Sequence, residues 1–134
     1  MRILVLNGSP RPHGSTAEMV AVFKESAEKT GHEVSVINVC RKNINGCLAC
    51  EYCHGKGQGK CAVDRFYSVL YPKAPETLQK VAMFLSSGDS DMYDGARFSY
   101  EGDFLGYLGL EDMGIITNHD KDYLKTVMKM ATTL

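Results

Sequence analysis

Apolar and polar positions along the chain follow two periods in turn. Residues 3 to 6, ILVL, form an unbroken apolar run, the pattern of a parallel strand buried on both faces. The period then lengthens. Met19, Val20, Val22, Phe23 and Ala27 fall near one broad helical face before Gly31, and Ser15 with Glu18 three positions on has the form of a capping box. EVSVINV at 33 to 39 reads as a second strand, and the strand–helix–strand order implies a right-handed parallel unit. KVAMFL at 80 to 85 and MGIITN at 113 to 118 read as two more strands, followed by helical patterns at roughly 96 to 108 and 121 to 132. The alternation predicts an open, doubly wound α/β sheet that binds its ligands at the carboxyl ends of the strands.

The segment from 40 to 63 breaks this rhythm. It is rich in Cys, Gly, Asn and Lys with little apolar periodicity, which predicts a long functional loop. At 134 residues, 44% hydrophobic and 23% charged, residues 1 to 134 are expected to form a single domain with one core. Fifteen basic against sixteen acidic residues, with no long run of either sign, give no sign of polyanion binding, so no nucleic-acid partner is expected. The opening ILVL is too short for a signal sequence or a membrane span, so a cytoplasmic protein without a membrane partner is expected. Five cysteines in such a chain point to thiols, a metal or a cluster rather than a disulfide framework.

The loop NGSPRPHGST, residues 7 to 16, joins the first strand to the first helix. Backbone N–H groups and the positive end of a helix converge there, which favours an anion, above all a phosphate. Gly8 and Gly14 allow a close backbone approach, Ser9, Ser15 and Thr16 offer hydroxyls, and Arg11 offers a planar cationic fork. No Lys-Ser/Thr pair follows Gly14 and no G-x-G-x-x-G spacing is present, so neither a nucleotide P-loop nor a dinucleotide fingerprint is met. The plainer alternative is a strand–helix turn with an ordinary cap.

NGSPRPHGST after a first strand resembles the FMN-phosphate loop of the flavodoxin-like NADPH-dependent FMN reductases, and the later INGCLACEYC resembles their iron–sulfur flavoprotein branch. The resemblance implies that Ser9, Arg11, Gly14, Ser15 and Thr16 hold the phosphate of FMN, and that Ser86, Ser87 and Gly88 border the flavin. It implies NAD(P)H as co-substrate, a small-molecule electron acceptor and a homodimer. No acid or base side chain is expected to be catalytic, because the flavin performs the hydride chemistry. One departure stands out. The family's central third strand and the helix after it, on the order of 40 residues, have no counterpart between CAV and KVAMFL, so about four strands are expected instead of five.

Cys47, Cys50 and Cys53 lie at C-x2-C-x2-C, and Cys61 follows after seven residues. That compact run can wrap a 4Fe-4S cluster; a four-cysteine zinc site and plain reduced thiols are the alternatives. Cys40 reads as a small core residue at the end of the second strand. The tyrosines at 67, 71, 93, 100 and 107 read as half-buried packing residues, the histidines have no catalytic role, and Asp89, Asp91 and Asp94 read as a solvated turn. Two functions outside the oxidoreductase class remain open: a truncated, non-catalytic flavodoxin-like binding or assembly module, and a metal-loop regulatory protein.

Overall fold

The first strand β1, Arg2–Asn7, pairs in parallel with β2, Glu33–Asn38, in a register that runs from Arg2 opposite Glu33 to Asn7 opposite Asn38. Between them runs helix α1, Ser15–Lys29, so the strand–helix–strand unit expected from the sequence is present. The computed structural model describes residues 1–42 and 76–134. In the second stretch β3, Lys80–Leu85, pairs in parallel with β4, Glu111–Thr117. Helix α2, Asp94–Ser99, continues into a π-helical segment, Tyr100–Tyr107, and helix α3, Tyr123–Thr132, closes the chain.

Among the described residues the strands form two parallel pairs, β1–β2 and β3–β4, with no ladder between β1 and β3. This is a shortened α/β fold of the flavodoxin-like kind, and direct pairing of the first strand with KVAMFL is not what joins its halves. Helix α1 joins them. Met19, Phe23 and Ala27 on its inner face pack with Val34 of β2, Ile116 of β4 and Val127 and Ala131 of α3 in one core. The Phe23 ring meets Phe84 of β3 edge-on, with centroids 5.5 Å apart.

Two sequence expectations need correction here. β1 is covered on one face only: Ile3 and Val5 face the core, whereas Leu4 is 60% and Leu6 44% exposed. Helices α1 and α3 both pack on one side of the strands, so an apolar run that reads as buried on both faces in fact alternates. The capping box does not form either. Gly14 takes the cap position in extended conformation, its carbonyl accepts the Glu18 N–H at 3.0 Å, and Ser15 becomes the first helical residue.

At the amino end of β3 and β4 a polar group is locked into the packing. The register slips between Val81 and Met83, with the extra residue on β4 next to Gly114, whose φ of +99° suits a bulge. Tyr100, 1% exposed, fills the spot. Its hydroxyl shares one proton between the Val81 carbonyl at 2.9 Å and Asp112 Oδ1 at 2.6 Å. Burial, reinforced by Asp112, pushes the phenol well above its usual pKa near 10. The folded state therefore requires the neutral phenol. Its contribution is complete below about pH 10, where the unfolded chain begins to ionise, and declines as pH rises above that. Tyr100→Phe is expected to cost about 1–2 kcal/mol near neutrality and to flatten the alkaline fall, read as the wild-type minus variant difference in urea unfolding against pH.

Candidate functional site

Both candidate loops leave the carboxyl ends of strands, where an open α/β sheet binds its ligands. The first follows β1 and is shaped by its own polar side chains. Asn7, the last residue of β1, accepts the Ser9 N–H on Oδ1 at 3.1 Å. Ser9 Oγ accepts the Arg11 N–H at 3.3 Å, and the Ser9 carbonyl accepts the Cys40 thiol at 3.1 Å. Each turn uses a short side chain in place of a backbone partner, so the loop is set before anything binds. Gly14 closes it: a Cβ there would lie 3.3 Å from Arg11 Cβ, and crowd the side chain that carries the charge.

Ser9 and Arg11 line a cavity of about 170 Å3, together with Asn7, Pro10, Pro12, Ala17, Asn38 and Arg41. Ser15 and Thr16 lie in the first turn of α1, where the N–H groups have no helical partners. Thr16 Oγ1 is 2.6 Å from Ser86 Oγ in the loop after β3. The first loop and the third-strand loop are thus held side by side across the space between β1 and β3.

The second loop has a clamp of its own. Asn118, just past β4, accepts the Ser87 N–H at 3.0 Å on Oδ1 and donates from Nδ2 to the Ser87 carbonyl at 3.0 Å. The buried Tyr93 hydroxyl donates to the same Oδ1 at 2.6 Å. The Ser87 carbonyl also lies 3.0 Å from His119 Nε2; a carbonyl only accepts, so His119 carries its proton on that nitrogen. Ser87 therefore has both backbone groups engaged, while Ser86 and Gly88 are exposed at the rim. Asn118→Ala strips partners from the Ser87 peptide and Tyr93 and is expected to cost about 1–3 kcal/mol. The check is urea unfolding together with faster hydrogen exchange at the Ser87 amide.

The sequence model of the NADPH-dependent FMN reductase family matches residues 1–82, well over half the chain. The chain belongs to this family. Two curated relatives resemble rather less than half of it. An iron–sulfur flavoprotein of Methanocaldococcus jannaschii is 33% identical over 63 residues, which is 47% of this chain and 32% of that protein. One of Archaeoglobus fulgidus is 33% identical over 58 residues, or 43% of this chain and 26% of that protein. The matched stretch thus takes up about a third or less of the length of these curated relatives. A solved structure, an NAD(P)H:quinone oxidoreductase from Methanothermobacter marburgensis, superposes over 99% of this chain and 94% of its own with a TM-score of 0.61 at 14% identity. That likeness concerns the fold.

The groups in this chain's first loop fit a flavin phosphate. A guanidinium without a carboxylate partner among the described residues, serine and threonine hydroxyls and a helix N-terminus form a donor set, and Gly14 leaves it room. Cys47, Cys50, Cys53 and Cys61 lie outside the described residues, as do Tyr67 and Tyr71. Cys40 is a correction: it is exposed, and its thiol tethers the first loop rather than filling the core. Tyr93 and Tyr100 are buried, whereas Tyr107 is exposed. No described helix is long and apolar enough to cross a membrane.

Asn7, Asn38, Arg41 and Asn118 were not singled out from the sequence, and Tyr93, read there as a packing residue, also bonds Asn118. Their signal was positional. Asn7, Asn38 and Asn118 each end, or directly follow, an apolar strand run, at the end of the sheet where ligands bind.

Proposed function

We propose that the chain binds FMN by its phosphate at the β1–α1 loop and serves as an NAD(P)H-dependent flavin oxidoreductase. The observation that carries this reading is the convergence of Ser9, Arg11, Ser15 and Thr16 with Ser86 through the Thr16–Ser86 hydrogen bond, in a chain of the FMN reductase family. Arg11 and the first turn of α1 hold the phosphate, and the Asn118 clamp keeps the Ser87 peptide in one orientation beside the ring. When bound, the flavin supplies acceptance of a hydride from the reduced nicotinamide and delivery of its two electrons to a small-molecule acceptor. No side chain of this chain has to move a proton for that transfer.

The cysteine run supports a 4Fe-4S cluster as an additional electron carrier, on its spacing and on the iron–sulfur flavoprotein relatives. A homodimer is supported by the exposed Leu4, Leu6 and Ile37 and by the edge of β1 that no described strand pairs. A truncated binding module has no observation that favours it over the oxidoreductase. Anaerobic mixing of the FMN-loaded protein with NADPH tests the reading. Bleaching of the flavin band with one NADPH consumed per flavin is expected; a band unchanged by NADPH and by NADH would overturn it.

A further inference from the structure

The cavity beside the first loop is built from two strands, and its second half has no role in the reading above. Arg41 ends the 3-10 turn Val39–Arg41 that follows β2, and Asn38 is the last residue of β2, opposite Asn7. Both line the cavity with Arg11. Among the described residues no carboxylate lies within salt-bridge distance of either guanidinium, while four lysines have such partners. Among the described residues, two like charges therefore share one polar hollow with no ion pair to offset them.

The orientation of Asn38 follows from a backbone donor. The Ser9 N–H fixes the oxygen of Asn7, so the other side-chain atom of Asn7 is its amide nitrogen, which donates to Asn38 at 3.0 Å. The accepting atom of Asn38 is thereby its oxygen, and its Nδ2 remains as a donor for the cavity. The hollow thus presents two guanidinium forks, one amide and the Ser9 hydroxyl, with no acidic group among its described lining residues. A phosphomonoester carries a charge of roughly −1.5 to −2 at neutral pH. Arg11 alone would leave about a third to a half of that charge uncompensated, whereas Arg11 and Arg41 together offset all of it.

We infer that this cavity is a phosphomonoester site in which Arg41 and Asn38 complete the recognition begun by Arg11. The inference deepens the FMN reading and rests on it for the choice between two sources of the same chemistry. One source is the 5′-phosphate of FMN; the other is the 2′-phosphate that distinguishes NADPH from NADH. Arg41 and Asn38 are exposed, so changing them leaves the core intact.

The test compares Arg41→Gln with the wild-type full chain, using inorganic phosphate, FMN, riboflavin, NADPH and NADH as probes in calorimetric and fluorescence titrations. Phosphate binding is expected to weaken about tenfold, the lower end for a charge-assisted contact at an exposed site. A parallel tenfold loss for FMN with riboflavin unchanged assigns the site to the flavin. The same loss for NADPH, with NADH and FMN unchanged, assigns it to the nicotinamide nucleotide. Asn38→Asp puts a negative charge in the hollow and keeps an acceptor for Asn7, and should weaken the same probes at least as much. Equal affinity of wild type and both variants for phosphate, FMN and NADPH overturns the inference while leaving the FMN reading intact. Absence of binding of all three to the wild type also overturns it. Arg41-dependent phosphate binding in a protein that takes up no flavin supports the site and removes the FMN reading instead.

Discussion

Arg11→Ala is expected to weaken FMN binding by about ten- to a hundredfold and to leave riboflavin binding unchanged. The difference between the two ligands is the phosphate, and Arg11 is the cation that the first loop itself carries into the cavity. Its side chain is exposed and takes no part in the core, so the variant should unfold at the wild-type urea concentration. The Ser9 contacts to Arg11 involve its backbone, which the substitution keeps, so the loop retains its turn. Fluorescence titration of both flavins reads the split directly. Equal losses for FMN and riboflavin would place Arg11 at the ring rather than at the phosphate, and no loss for either would remove it from the site.

Phe23→Ala is expected to have the largest effect on stability, about 3–5 kcal/mol, or on the order of 10–20 °C in Tm. Phe23 is 6% exposed and is the residue of α1 that reaches the ring of Phe84 on β3. The cavity left behind would lie between the helix and the second strand pair. Since α1 is what joins β1–β2 to β3–β4 among the described residues, the loss should also loosen the Thr16–Ser86 contact and weaken FMN binding. Urea unfolding followed at the backbone and by flavin release tests both parts. Val20→Ala, on the same helix but outside the core cluster, should cost less and leave flavin affinity unchanged.

The fold was legible where apolar period and chain order agree. KVAMFL is β3 over the same six residues, and the helical spacing of Met19, Phe23 and Ala27 marks the face that α1 buries. The sequence could not show which faces its strands leave open, because that depends on where helices land: Leu4 and Leu6 look as buried as Ile3 and Val5 in a one-dimensional pattern. The helix expected at roughly 96 to 108 exists but starts at Asp94 and turns π-helical from Tyr100, a change of hydrogen-bond period that side-chain spacing does not encode. The candidate phosphate loop was readable because hydroxyls, arginine and glycines stand next to one another in the chain. Asn38, Arg41 and Asn118 were not, because each reaches the site from another strand, at a separation that only strand pairing brings together. Cys40 misled for the same reason: an apolar neighbourhood in sequence became an exposed thiol bonded to Ser9 across 31 residues.

The most direct measurement is the absorbance spectrum of the full chain purified without oxygen, before and after addition of FMN. A flavin band at roughly 450 nm that stays with the protein through gel filtration is the predicted result. A colourless protein that takes up no added FMN would contradict the account.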